Sequence, residues 1–340
     1  MAVTDLGAPS FALHPLRGPH EPTTSTPPRR PGSVRRTSSM DITRAPDAPD
    51  PVYLLGRARD LITGPDGSAQ VARTAGLTAT VELLGQVVRS IETDPPVPAL
   101  AAVVGTPPMG GFRAAIDAAT PELRQARDLL HTLVDDVPGA TLISGHALGA
   151  SGQLESARTG FRPLADQCAG FVTGGVMTTM FASDEAVIVT GPPAPDLRDA
   201  DDPLAWHEFG GLPLHGMRRV RRVDVTEGRD GTEVAIDAMF RDTYVRGDGV
   251  ETIIHEYTLL ATLDRRTGRV LESRATPRVL PWQECPAAAE SAGRITGMTL
   301  PELHSRVRRE LHGTSTCTHL NDLLRSVADA EALIALLPAD

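Results

Sequence analysis

The feature that most limits what this chain can fold into is that it matches itself at a nearly constant spacing. Arg35-Arg36-Thr37-Ser38-Ser39-Met40-Asp41-Ile42-Thr43 lines up with Arg218-Arg219-Val220-Arg221-Arg222-Val223-Asp224-Val225-Thr226, 183 residues later. Arg59-Asp60 lines up with Arg241-Asp242 at an offset of 182, and the hairpin from Thr80-Val81-Glu82 to Pro95 with the one ending at Pro277. Pro121-Glu122-Leu123 matches Pro301-Glu302-Leu303 at 180, and Leu130-His131 matches Leu311-His312 at 181. Each match alone means nothing. Together they imply a duplicated unit of roughly a hundred residues.

Both units read the same way. Alternating stretches predict strands over Ser38–Thr43, Leu55–Ile62, Gly76–Leu84 and Gln86–Thr93, then over Val220–Val225, Glu233–Tyr244, Thr252–Leu263 and Arg269–Thr276. Asp264-Arg265-Arg266-Thr267-Gly268 is a hairpin turn in which glycine supplies positive φ. Helices are predicted over Gly111–Ala119, Pro121–Leu133, Pro286–Ile295, Leu300–Leu311 and Thr318–Ala330. Thr299-Leu300-Pro301-Glu302 has the capping-box pattern, and Leu320, Leu323, Leu324 and Val327 mark one buried helix face. Strands first and helices after give an α+β class: two tandem, diverged copies of an antiparallel sheet with helices packed on one face. The expected boundaries are a disordered tail over 1–34, a degenerate first repeat over 35–137, a connector or lid over 138–214 and a second repeat over 215–335.

Composition then excludes some functions. All 33 basic residues are arginine, so a Schiff-base lysine and a Walker A phosphate loop are out. The net charge of −10 disfavours nucleic acid as a partner. Residues 1–34 hold no apolar segment of signal-peptide length, and the run Ala169–Ala182 is too short to span a bilayer. Three cysteines, an odd number, argue against a disulfide framework and for a cytoplasmic setting.

Chemistry concentrates between Ile253 and Val327. Cys285 precedes Pro286 at one predicted helix start, and Cys317 opens another; unpaired N–H groups there favour a thiolate. His255 lies near the start of a strand, with Glu256 on the opposite face. A metal site of His255, Cys285 and Cys317 is expected, completed or assisted by Asp242, His319 or Asp322 as candidate catalytic residues. The plainer reading has the cysteines as core filler and His319 facing solvent. Other features carry less. Trp206-His207-Glu208 reads as a packing corner, Cys168 as a buried structural thiol, and Met217–Arg222 as a solvated strand face paired with Asp224 and Asp237. Asp135-Asp136 opposes a helix-end dipole and so predicts a local partner.

Two resemblances follow from these residues. The run through Asp242, His255-Glu256, Glu284-Cys285-Pro286 and Cys317-Thr318-His319-Leu320 resembles a bacterial, actinobacterial-type family of uncharacterised function with a Cys-Thr-His-Leu signature. Residues 253–330 are similar in layout to iron–sulfur scaffold proteins of the IscU/NifU type. The turn would be Asp264–Gly268, the middle cysteine Cys285, a helix end Gly297 and the last cysteine Cys317. The first scaffold cysteine is missing, and Thr316 precedes Cys317 in place of a histidine. The first copy has no cysteine, so only the second can carry the site.

The resulting expectation is a zinc-dependent enzyme of lyase, hydratase or hydrolase type. It would act on a small-molecule substrate, with neither nucleic acid nor membrane as partner, and a homo-oligomer is compatible with it. The alternatives are a non-catalytic iron–sulfur or sulfur-handling protein and a metal-free structural module.

Overall fold

The computed structural model describes residues 13–15, 18–153, 165–182, 188–228 and 230–338. Eight of its strands form one antiparallel sheet. They are β2 (Ser33–Thr43), β3 (Val52–Thr63), β4 (Ala69–Glu82), β5 (Val87–Asp94), β7 (Met217–Glu227), β8 (Glu233–Val245), β9 (Glu251–Asp264) and β10 (Arg269–Val279). Their order is β10-β9-β8-β7-β2-β3-β4-β5, so two four-strand meanders meet at their first strands. A short β1 (Leu13–Pro15) pairs in parallel with β6 (Ile188–Thr190). The class is α+β, as expected, but the two meanders share one sheet where two separate ones were expected.

The seam between β2 and β7 explains the arginine runs. Arg35 pairs in register with Asp224, and Asp41 with Arg218. Arg35 Nε lies 2.6 Å from the Asp224 carboxylate, and Arg218 Nε lies 2.5 Å from that of Asp41. Arg36 and Arg219 point to the other face, where each forms a two-pronged pair with the next strand: Arg36 with Asp60 and Arg219 with Asp242. A fork-to-fork pair satisfies both charges in a buried place.

Helices cover the face of Arg36 and Arg219. They are α1 (Phe112–Ala119), α2 (Pro121–Gln125), α3 (Leu129–Ala150), α4 (Val176–Ala182), α5 (Leu300–Glu310), α6 (Thr318–Ser326) and α7 (Ala330–Ile334). Leu320, Leu323, Leu324 and Val327 are fully buried, as their spacing predicts. The Glu302 carboxylate accepts from the Thr299 hydroxyl and backbone N–H, completing the capping box. Two helical expectations change. Cys285–Ile295 winds as 3-10 helix, and α3 runs through Pro138 to Ala150. The 137/138 boundary therefore falls inside a helix. Asp135 and Asp136, which argued for a helix end, lie mid-helix with Arg113, Arg325, Arg219 and Arg221 as counter-charges.

The opposite face is covered by irregular chain. Of the stretch to residue 34, expected to be disordered, the described residues 18–34 pack against the sheet, with β2 starting at Ser33. Thr23 N donates to Glu256 Oε1, its carbonyl accepts from Arg241, and the Pro27 carbonyl accepts from Arg35. Carbonyls of Pro195, Leu204, Ala205 and Gly210 accept from Arg241, Arg59, Arg35 and Arg218. Buried guanidiniums need acceptors for their N–H groups, and a backbone strap supplies part of them, Arg59 Nε remaining without one. Met217–Arg222 is accordingly a buried central strand rather than a solvated face. Trp206 and His207 pack as a corner, bonded to Thr26, Ser39 and Thr37.

Candidate functional site

On the helix face of β8 and β9, Asp242 and His255 are direct cross-strand partners. The register shifts immediately beyond them, which places a β-bulge at Ile254. A bulge bends the strand and re-aims its side chains. His319 arrives from the first turn of α6. Its ring stacks on that of His255, with centroids 3.7 Å apart. Phe240 also stacks with His319, with centroids 6.0 Å apart.

Three atoms converge there. His255 Nδ1 is 3.4 Å from Asp242 Oδ2, and His319 Nε2 is 3.9 Å from the same oxygen. Both ring nitrogens are buried, and neither has a hydrogen-bond partner. A buried polar atom left unpaired is costly and calls for an explanation. Among the described residues, Asp242, His255 and His319 are the set whose ligand atoms lie within 4.8 Å of one another. A tetrahedral zinc ion with bonds of about 2.1 Å keeps its ligand atoms roughly 3.4 Å apart, so the spacing of the three atoms is suitable, and seating an ion requires one of the two stacked rings to turn so that both in-plane lone pairs meet it.

Charge at the site favours ligation. Burial works against the Asp242 carboxylate, yet Arg219 and the His255 ring bring it down to about 2. Burial first, and the neighbouring His255 second, push His319 down to about 3, so its ring is neutral near pH 7. A neutral imidazole and an ionised carboxylate are the ligand forms of these groups. Each histidine side chain keeps 14% of its surface exposed, although the two nitrogens that face Asp242 are buried.

The other expected residues stand around this trio. Asp322 belongs to an ion-pair cluster, 2.8 Å from Arg219, 2.5 Å from Arg325 and 3.3 Å from Arg113. Cys317 caps α6, and its sulfur lies 3.9 Å from His319 Nδ1. Cys285 sits against Gly170, where even a Cβ would come within 2.8 Å of its sulfur. Burial, and then the neighbouring Cys317 and Cys285, raise Tyr257 well above the usual phenol range. The expected thiolates are not favoured. Burial pushes Cys317 up to about 12, outweighing the His319 and Leu320 N–H groups and Tyr257, and burial raises Cys285 well above the usual thiol range. Glu256 does take the opposite face, paired with Arg241 at 2.6 Å. Sequence reasoning missed Tyr257, which had a signal, since it lies two residues after His255 on a strand and so shares its face.

Residues 217–333 match a family model described as a protein of unknown function (DUF2889). No curated protein and no solved structure matches the chain. No described helix is long and apolar enough to cross a membrane.

Proposed function

We propose that this chain, whose second half is similar to that uncharacterised domain family, is a metal-dependent enzyme acting on a small molecule. It would hold one divalent cation, zinc in the first instance, on Asp242 Oδ2, His255 Nδ1 and His319 Nε2. The observation that carries this reading is the pair of buried, partnerless ring nitrogens facing one carboxylate oxygen. Three protein ligands with an open fourth position are typical of catalytic zinc sites. Bound there, the ion would supply Lewis acidity or an activated water, which suits lyase, hydratase or hydrolase chemistry. Arg219 grips both Asp242 oxygens and so fixes the plane of the carboxylate. Cys317 faces the other nitrogen of His319, an outer contact that would hold the ring with Nε2 toward the cation. In this arrangement Cys317, first expected as a ligand, contacts His319 from outside, and Cys285, also expected as a ligand, lies against Gly170 instead.

Metal analysis of the purified protein tests the reading. About one zinc per chain is expected in the wild type, with loss in His255→Ala and His319→Ala and retention in Cys285→Ser. Substoichiometric metal in the wild type would end it. The three buried free cysteines do not converge into a ligand set among the described residues, and they leave a second reading, a sulfur-handling or iron–sulfur accessory role, to which the scaffold-like layout of residues 253–330 belongs. Visible absorption after anaerobic purification, lost in Cys285→Ser, would replace the first reading with this one.

We also propose that the two halves are diverged copies of one unit. The exchanged Arg35–Asp224 and Arg218–Asp41 pairs support this, as do register shifts directly after both Asp60 and Asp242. At the matching offsets Arg73 stands for His255 and Pro138 for His319. The arginine–carboxylate pair is then common scaffold, and the two imidazoles are the addition that makes one half functional.

A further inference from the structure

Arg59 and Arg241 hold the same place in the two meanders, each beside the aspartate that precedes a register shift. Arg59 faces Thr74 across β3 and β4, and Arg241 faces Glu256 across β8 and β9. Arg241 is well provided for. Its Nε donates to Glu256 Oε2 at 2.6 Å, and its two terminal nitrogens donate to the carbonyls of Pro195 and Thr23. Arg59 is also buried, at 7% exposure, but a threonine stands where the carboxylate would be. Its Nη2 donates to the Leu204 carbonyl, and its Nε, the atom that Glu256 takes on Arg241, has no hydrogen-bond partner. Burial, then the charges of Arg29 and Arg35, lower its pKa; Asp202 pulls the other way, but Arg29 already grips both oxygens of that carboxylate. Arg57 lies two residues away on the same face, its side chain 40% exposed. Its charge partner is Asp41 at 3.7 Å, which Arg218 holds at 2.5 Å, and its Nη1 is buried with no hydrogen bond. Beside the two arginines β4 is bare, since Thr74 is exposed and the residue opposite Arg57 is Gly76.

We infer that Arg59, with Arg57 beside it, is a binding site for a small-molecule carboxylate, which sits over Thr74 as the Glu256 carboxylate sits against Arg241. A buried guanidinium with no counter-charge is costly, and an anion that pairs with it removes the cost. A carboxylate fits because Arg241 shows the bond that Arg59 lacks, an Nε donating to a carboxylate oxygen in this same register position. The site lies on the strap face of the sheet, opposite Asp242, His255 and His319, and does not depend on the metal reading.

The test titrates sodium acetate and sodium phosphate into the full chain at constant ionic strength, by calorimetry, for wild type, Thr74→Glu and Arg59→Met. Wild type is expected to bind acetate saturably at one site. Thr74→Glu places a carboxylate where Glu256 stands in the other meander. It should therefore melt higher than wild type without ligand and bind acetate about tenfold more weakly or worse. Arg59→Met should lose acetate binding to a similar extent. Absence of saturable acetate binding in wild type, or unchanged binding in Thr74→Glu, overturns the site. A response to phosphate with none to acetate overturns the carboxylate as its ligand.

Discussion

His255 and His319 stack with ring centroids 3.7 Å apart and planes 20° from parallel, both facing one oxygen of Asp242. Two imidazolium ions would repel at that distance. The stack is suited to neutral rings; for both in-plane lone pairs to meet one cation, one ring must turn out of the stack. Replacing either ring by alanine is therefore expected to abolish tight metal binding while leaving the melting temperature of the metal-free protein within a few degrees, because each ring is partly exposed. Metal content and calorimetry on the same samples check this.

Asp242 should behave differently, because it also neutralises a fully buried guanidinium. Asp242→Asn removes a metal ligand and weakens a pair with Arg219 that is hidden from water. Loss of one partner of such a pair costs about 3 kcal/mol or more. Asp60→Asn, which breaks the corresponding pair with Arg36, is expected to cost a similar amount with no change in metal content. Urea unfolding and metal analysis of the two variants separate scaffold from site.

Acid should destabilise the fold well above the carboxylate range. His207 is enclosed by Ser39 and Thr37, and burial, followed by Arg59, Arg57 and Arg218, lowers it to about 3. The unfolded chain binds this proton near pH 6.5 and the folded chain does not. The stability contributed is thus complete above about pH 6.5 and is lost as pH falls toward 3. At pH 4.5 the loss is about 2–3 kcal/mol from this one ring. Below pH 4 a further loss begins as Asp135 is titrated; against the effect of burial, Arg325 and Arg113 hold it well below the usual carboxylate range. Denaturant midpoints between pH 4 and 7 should fall less steeply in His207→Gln, with the remaining slope coming from His146 and His319, which burial also lowers to about 3.

The strap before β2 is expected to contribute to stability. Thr26 accepts from Trp206 Nε1 and donates to the Leu197 carbonyl, both buried. Thr26→Val should cost about 1–2 kcal/mol by leaving these groups unpaired. Deleting residues 1–31 should cost more, since Glu256, Arg241 and Arg35 each lose a backbone partner. Thermal unfolding of both variants measures it.

Much of the architecture was legible because its signals are local. Alternation located all eight strands of the large sheet, and the Thr299 cap and the leucine face of α6 followed from helical spacing. Helix ends were less legible. Asp135-Asp136 and Pro138 looked like a stop, yet α3 continues because distant arginines neutralise the aspartates. The ordered strap was invisible for the same reason. Its residues have no apolar period, and their role is to offer carbonyls to guanidiniums buried elsewhere.

By itself the sequence determined the strand periodicity, the recurring arginine–aspartate pattern and the presence of Asp242, His255 and His319 as candidates, since these depend on neighbours along the chain. The tertiary structure decided which candidates meet. Pairing across β8 and β9 set Asp242 beside His255, a bulge at Ile254 altered the register, and the docking of α6 brought in His319. The same packing buried the cysteines so deeply that desolvation outweighs the helix-end N–H groups. Convergence and burial depend on atoms far apart in the chain, and no local pattern encodes them.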